Sequence, residues 1–250
     1  MLVEEILGRS PDAVLVGDTP TALALRDRTS TVPIVFAGLS DPVGTGLVRS
    51  LARPGGNITG FESFEFTMIG KWMEMLQMVV PTTNRVAILY NPATAHFIMP
   101  YVGQAQRVAA ALGLTMVAAP AMDPEVTNAV FAAMATLPGG GVIVIPDAYN
   151  YAEPERRRLI ALAARHRLPA IYAYSGYASD GGLMSYGPSQ LAQYIEAAGY
   201  IDRIFRGATP ADLPVQGPIR FDLVLNVRAA KALDVTFPSQ LLARATRIIQ

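Results

Sequence analysis

The chain has 250 residues, 51% hydrophobic and 16% charged, which suits one large domain or two modest ones and excludes a disordered chain. Its 20 Lys and Arg balance 20 Asp and Glu, which excludes a global basic field for nucleic acid or an anionic membrane. Zero Cys excludes disulfides, thiolate nucleophiles and zinc–cysteine sites, and two His leave little for metal ligation.

Residues 1–9 are acidic and amphipathic, without the basic stretch that opens a signal peptide. Two continuously apolar runs follow, 13–16 and 33–37, and both read as strands. A short helix is expected near 44–51, and the turn formers of 52–60 (Ala-Arg-Pro-Gly-Gly-Asn-Ile-Thr-Gly) read as a break. A fresh alternation of helices and strands then runs over 66–174. Its first helix, 66–80, places Met68, Trp72, Met75, Leu76 and Val79 on one face. Helices are also expected over 101–112, 126–137 and 153–166, the second of these led by Asp123 as cap and Pro124 at the first helical position. Between them, apolar runs at 86–90, 116–119, 142–145 and 170–173 read as strands buried on both faces. The glycines at 139–141 read as a turn. Glycine-rich residues 179–182 precede a strand at 183–186 and a long helix over 190–205, and a last interruption, 208–218, precedes a strand at 221–225. No apolar run approaches the roughly 20 residues of a membrane span.

Strand–helix alternation at this spacing predicts right-handed βαβ units and an α/β fold with parallel sheets. Three interruptions predict three passes between two lobes. The first lobe takes 1–62 with 182–214 and the second 63–181 with 215–250. Hinge crossings fall near 60–64, 179–183 and 213–218, where a few loop residues can absorb a closing motion.

Ligands of open parallel sheets bind beyond the carboxyl ends of the strands, where helix N-termini point. That rule selects loops 17–21, 38–42, 90–94, 146–151 and 174–176, which are rich in hydroxyl, amide, carboxylate and Tyr and poor in Lys and Arg. They suit a small zwitterion or a polar aromatic molecule. The candidates are Asp18, Thr19, Thr21, Ser40 and Asp41 from the first lobe, and Tyr90, Asn91, Asp147, Tyr149 and Tyr174 from the second. Glu62 and Phe64 lie at the first crossing. Hydroxyls and backbone N–H groups can hold a carboxylate, Asp41 or Asp147 an ammonium, and tyrosines a ring. The alternative for Thr19, Ser40, Asp41 and Asp147 is that each only caps the following helix.

Catalytic patterns do not emerge. No serine sits in a G-x-S-x-G elbow, His166 closes a helix, and His96 has no visible acid–base partner. Gly44-Thr-Gly46 follows a strand like a dinucleotide fingerprint, but Arg49 stands where the third small residue belongs. No catalytic residue, metal or cofactor is expected.

Several segments resemble the ABC-transporter substrate-binding protein family that includes tryptophan- and tyrosine-type amino-acid binders. They are 33–37 (Pro-Ile-Val-Phe-Ala), 41–44 (Asp-Pro-Val-Gly) and 51–60 (Leu-Ala-Arg-Pro-Gly-Gly-Asn-Ile-Thr-Gly), then 161–170, 181–188 and 211–216. The resemblance implies a type I periplasmic-binding-protein fold: two Rossmann-like lobes, three connecting strands and a ligand closed between them. It further implies a non-enzymatic importer component, monomeric or weakly dimeric, working with ABC permease subunits in the periplasm or anchored outside the membrane. Its ligand would be a small organic solute, an amino acid or an aromatic relative. Against that family, the first lobe is expected to lack a leading segment and one βαβ unit, about 50 residues. A ligand-sensing domain of a regulator and a nucleotide-cofactor enzyme remain the alternatives.

Overall fold

In the computed structural model, which describes residues 2–63 and 65–250 apart from the side chains of Leu2, His96 and Pro100, the chain opens with helix α1 (Leu2–Gly8) and strand β1 (Val14–Val16). Asp18 caps helix α2 (Thr19–Arg26), and Pro20 sits in its first turn, where no intrahelical N–H is needed. Strands β2 (Ile34–Leu39) and β3 (Ile58–Glu62) complete a parallel sheet of order β1-β2-β3. Because β2 is central, both its faces are covered. Ile34 and Phe36 pack with Val14, Val16 and the α2 residues Ala22 and Leu25, while Val35 and Ala37 face the other way.

This stretch departs from expectation twice. Residues 44–51 form turns, not a helix: the N–H groups of Leu47 and Val48 both reach the carbonyl of Pro42, at 3.0 and 3.1 Å. A single turn closes with the Thr45 N–H on the Asp41 carbonyl at 3.0 Å, and Gly46 at a left-handed φ of +71° ends it. The fingerprint-like Gly44-Thr-Gly46 therefore opens no helix and has no phosphate-cradling context. The break assigned to 52–60 also conceals the start of β3, whose Ile58 and Phe61 are buried.

Helix α3 (Thr67–Val79) buries Met68, Ile69, Trp72, Met73, Met75, Leu76 and Val79 on one broad face and leaves Thr67, Lys71 and Glu74 exposed on the other. Trp72 is fully buried and donates its indole N–H to the carbonyl of Tyr186 at 2.7 Å. There follow β4 (Arg85–Tyr90), a 3-10 turn (His96–Tyr101), α4 (Val102–Ala111), β5 (Thr115–Pro120), α5 (Pro124–Ala135) and β6 (Gly140–Val144). Asp123 caps α5 by accepting the N–H of Val126 at 2.9 Å. The glycines read as a turn belong partly to β6, because a Cβ at Gly140 would lie 2.3 Å from the carbonyl oxygen of Met134, at the end of α5.

The chain continues through α6 (Ala148–Tyr151), α7 (Glu155–Arg165), β7 (Ala170–Tyr172), α8 (Ser175–Ser179) and β8 (Met184–Pro188). Helix α9 (Gln190–Phe205) lays Ala197 and Tyr200 against Val35, Ala37 and Phe61 of the three-stranded sheet. Strand β9 (Phe221–Asn226), helices α10 (Val227–Ala232) and α11 (Ser239–Arg244) and strand β10 (Arg247–Ile249) complete the seven-stranded sheet, of order β10-β9-β8-β7-β6-β4-β5. Its core on one face joins Leu89, Val142 and Val144 to Phe131, Leu159 and Leu162 of α5 and α7. Burying one such side chain contributes about 1.5–3 kcal/mol. The compact units are Met1–Phe64 with Pro188–Arg220, and Glu65–Gly187 with Phe221–Gln250.

Candidate functional site

In the seven-stranded sheet β7, β6 and β4 are parallel neighbours, so their carboxyl ends present adjacent loops. Asp147 ties two of those loops together. Its Oδ2 accepts the N–H of Asn91 at 2.7 Å and the side-chain amide of Asn150 at 3.2 Å. Its Oδ1 accepts the hydroxyl of Thr94 at 2.5 Å and the N–H of Tyr149 at 2.9 Å. At 3% exposure the carboxylate is desolvated, which pushes its pKa up, and the hydrogen bonds from Thr94, Asn91, Tyr149 and Asn150 oppose that shift. Asp147 does cap α6, as its sequence position suggested, but it also holds the β4 loop.

The remaining candidates of this unit surround it. Tyr90, the last residue of β4, is 2% exposed and points its hydroxyl at the sulfur of Met99, 3.3 Å away, and burial raises its pKa. The side-chain oxygen of Asn91 accepts the N–H of Ala93 at 2.9 Å. Tyr149 and Tyr174 are half-buried. The Tyr174 ring tilts against Tyr151 at 4.7 Å, Tyr151 lies 5.7 Å from Tyr177, and the Tyr177 hydroxyl donates to the carbonyl of Asn150 at 2.6 Å. Tyr90, Asn91, Asp147, Tyr149 and Tyr174 thus fall into one connected array. Sequence reading passed over Asn150, whose side-chain oxygen is buried without a hydrogen-bond partner among the described residues. Its place inside a selected loop was the one available signal.

The three-stranded sheet carries the other candidates at the ends of its own parallel strands. Asp18 spends both oxygens on Thr21, accepting its N–H at 2.8 Å and its hydroxyl at 2.9 Å, beside half-buried Thr19. Asp41 accepts the N–H of Gly44 at 2.8 Å and so stabilises a turn where a helix cap was one alternative. Ser40 is 5% exposed. Glu62 ends β3 and its backbone carbonyl accepts the side-chain amide of Gln193 at 2.7 Å. Phe64 lies outside the described residues, as does the side chain of His96. Gln193 was missed, because a glutamine in the first turns of a helix looks like any solvated position. It is 3% exposed, and its Oε1 has no partner among the described residues.

Chemically, the arrangement offers aromatic faces, hydroxyls and buried amide acceptors held by a saturated carboxylate hub. Among the described residues no group of three His, Asp or Glu could hold a metal ion, and no helix is long and apolar enough to cross a membrane.

Known proteins resemble this chain along nearly its full length. A Clostridioides difficile protein described as tyrosine-binding is 22% identical over 94% of this chain, which spans 66% of that protein's length. A conserved domain protein of Vibrio cholerae O1 is 29% identical, with a TM-score of 0.87 over 99% of this chain and 81% of that one. An ABC domain from Streptococcus pneumoniae, solved in complex with L-Trp, is 22% identical with a TM-score of 0.87, covering 99% of this chain and 82% of its own. These folds are the two-lobed periplasmic-binding-protein architecture, with mostly parallel sheets flanked by helices. A family model described as ABC transporter substrate binding protein matches residues 1–249, and the chain belongs to that family.

Proposed function

We propose that this protein is the solute-binding component of an ABC importer and that its ligand is an aromatic amino acid, tyrosine or tryptophan. The observation that carries this reading is the Asp147 network, which fixes half-buried Tyr149 and, through Asn150, Tyr177 and Tyr151, orients Tyr174. Rigid aromatic faces at a sheet's carboxyl ends suit a flat ring. The tyrosine-binding relative and the L-Trp complex support the same ligand class. Thr19, Thr21 and Ser40 with nearby N–H groups would serve the ligand's carboxylate, and Asp41 or Glu62 its ammonium. Asp147 is assigned the organising role. Capture would proceed by hinge closure, contacts available only in the closed state shifting the equilibrium. ABC permease subunits are the proposed partners, and an extracytoplasmic location, periplasmic or membrane-anchored, follows the family.

Isothermal titration of the full chain with L-tyrosine and L-tryptophan tests this, with L-leucine and D-ribose as controls. Saturable heat from an aromatic amino acid is expected, and Tyr174→Ala should weaken it by about tenfold to a hundredfold. Heat from ribose alone, or none from any of the four, rejects the reading.

A further inference from the structure

Arg156, in the first turn of α7, holds its guanidinium over the ring of Tyr151, 4.9 Å from the centroid. All three guanidinium nitrogens are engaged: Nε donates to Asp180 at 2.8 Å, Nη1 to the carbonyl of Tyr151 at 3.1 Å and Nη2 to Glu153 at 3.1 Å. The side chain is 17% exposed, so these bonds form largely out of water and fix a planar group that keeps its charge. Its neighbours in the chain do otherwise. Arg157 stays 70% exposed beside Glu153, and Arg158 turns to Glu155 and Asn128.

Tyr151 is confined from other directions too. A Cβ at Gly176 would lie 2.6 Å from the Tyr151 hydroxyl oxygen, so the bare backbone at the start of α8 admits that end of the ring. Tyr177, buried and bonded to the carbonyl of Asn150, lies 5.7 Å away. Tyr174 meets Tyr151 at 4.7 Å with a tilt of 56°, a relation whose geometry depends on both rings. Freeing the guanidinium would let Tyr151 swing, and Tyr174 would follow it. We propose that Arg156 is a positioning residue for the ligand site: it holds the Tyr151 ring, Tyr151 sets the tilt of Tyr174, and that tilt decides how well a flat aromatic side chain is accepted. The inference rests on the aromatic-ligand reading of these loops and adds a residue that itself touches no ligand.

The test is isothermal titration with L-tyrosine and L-tryptophan of the full chain as parent, Arg156→Gln, Tyr174→Ala and the double variant. Arg156→Gln should weaken binding by about three- to tenfold, the loss of one cation–π contact. In the Tyr174→Ala background the same change should cost less than about twofold, because the ring it positions is gone. General loosening of the loop would instead cost the same in both backgrounds. A second readout needs no ligand: Arg156→Gln should move the NMR ring resonances of Tyr174, identified by their loss in Tyr174→Ala. If Arg156→Gln does not fold, Asp180→Asn, which weakens the grip on Nε, replaces it with the same expected signs. Equal losses in both backgrounds, or Tyr174 resonances that do not move, overturn the inference and leave the ligand reading intact. A parent chain that binds neither tyrosine nor tryptophan rejects that reading, and the inference with it.

Discussion

Asp147 shows how a single side chain can be placed correctly while only part of its task is legible. Its position after an apolar strand and before a short helix is legible, and so is its capping role. That Asn91 and Thr94 also donate to it is not, because those partners sit 56 and 53 residues away and only the sheet order brings them close. The energetics have a definite sign. Burial raises the pKa above its ordinary 3.8, so the folded protein keeps this proton to higher pH than the unfolded chain does. The group's stabilising contribution is therefore complete below 3.8 and is lost as pH rises through the raised folded value. Asp147→Asn should flatten that part of the stability–pH curve. It should also cost about 1–3 kcal/mol at neutral pH, since an amide N–H₂ would face donors from Asn91 or Asn150 where the carboxylate accepts. Urea unfolding from pH 4 to 8 measures both effects. A variant as stable as the parent at pH 7 contradicts the organising role.

Among elements, the long ones were legible and the close-packed ones were not. Helix α3 announces itself because Met68, Trp72, Met75, Leu76 and Val79 recur at helical spacing, and the buried parallel strands because both their faces are apolar. Strand β3 was hidden because Asn57-Ile-Thr-Gly60 has the composition of a turn. The glycine is there for a different reason. At Gly60 φ is +154°, and a Cβ would lie 2.1 Å from the carbonyl oxygen of Phe36 on the neighbouring strand. Close approach of β2 and β3 thus requires the bare backbone. Gly60→Ala should destabilise the protein by about 3 kcal/mol or more, because backbone cannot yield as a flexible side chain would. Thermal unfolding followed by circular dichroism checks it, and a shift of only a degree or two would show that β3 moves aside at little cost. The helix wrongly expected near 44–51 fails for the complementary reason. One turn closes, with the Thr45 N–H on the Asp41 carbonyl at 3.0 Å, and Gly46 at a left-handed φ of +71° ends it there.

At the scale of the whole molecule, alternation of strand and helix made the α/β class with parallel sheets legible. The order β10-β9-β8-β7-β6-β4-β5 was beyond reach, since placing 215–250 with the second lobe does not say which strand residues 221–249 pair beside. The three-stranded sheet has a consequence for solution behaviour. Strand β1 lies at its edge, and Leu15 is in register with Val35, on the face that α9 covers over β2 and β3. Over β1 that cover runs out: Leu15 is 42% exposed, and Leu191 and Ile195 of α9 are 72% and 63% exposed. An open strand edge beside apolar side chains is a template for pairing with another copy. The full chain should therefore self-associate reversibly as its concentration rises in sedimentation velocity. Leu15→Lys, which sets a charge on that edge without touching the buried Val14 and Val16, should hold it monomeric with an unchanged melting temperature. A parent chain that stays monomeric at every concentration reached would mean that this edge is already protected by the twist and brevity of a three-residue strand.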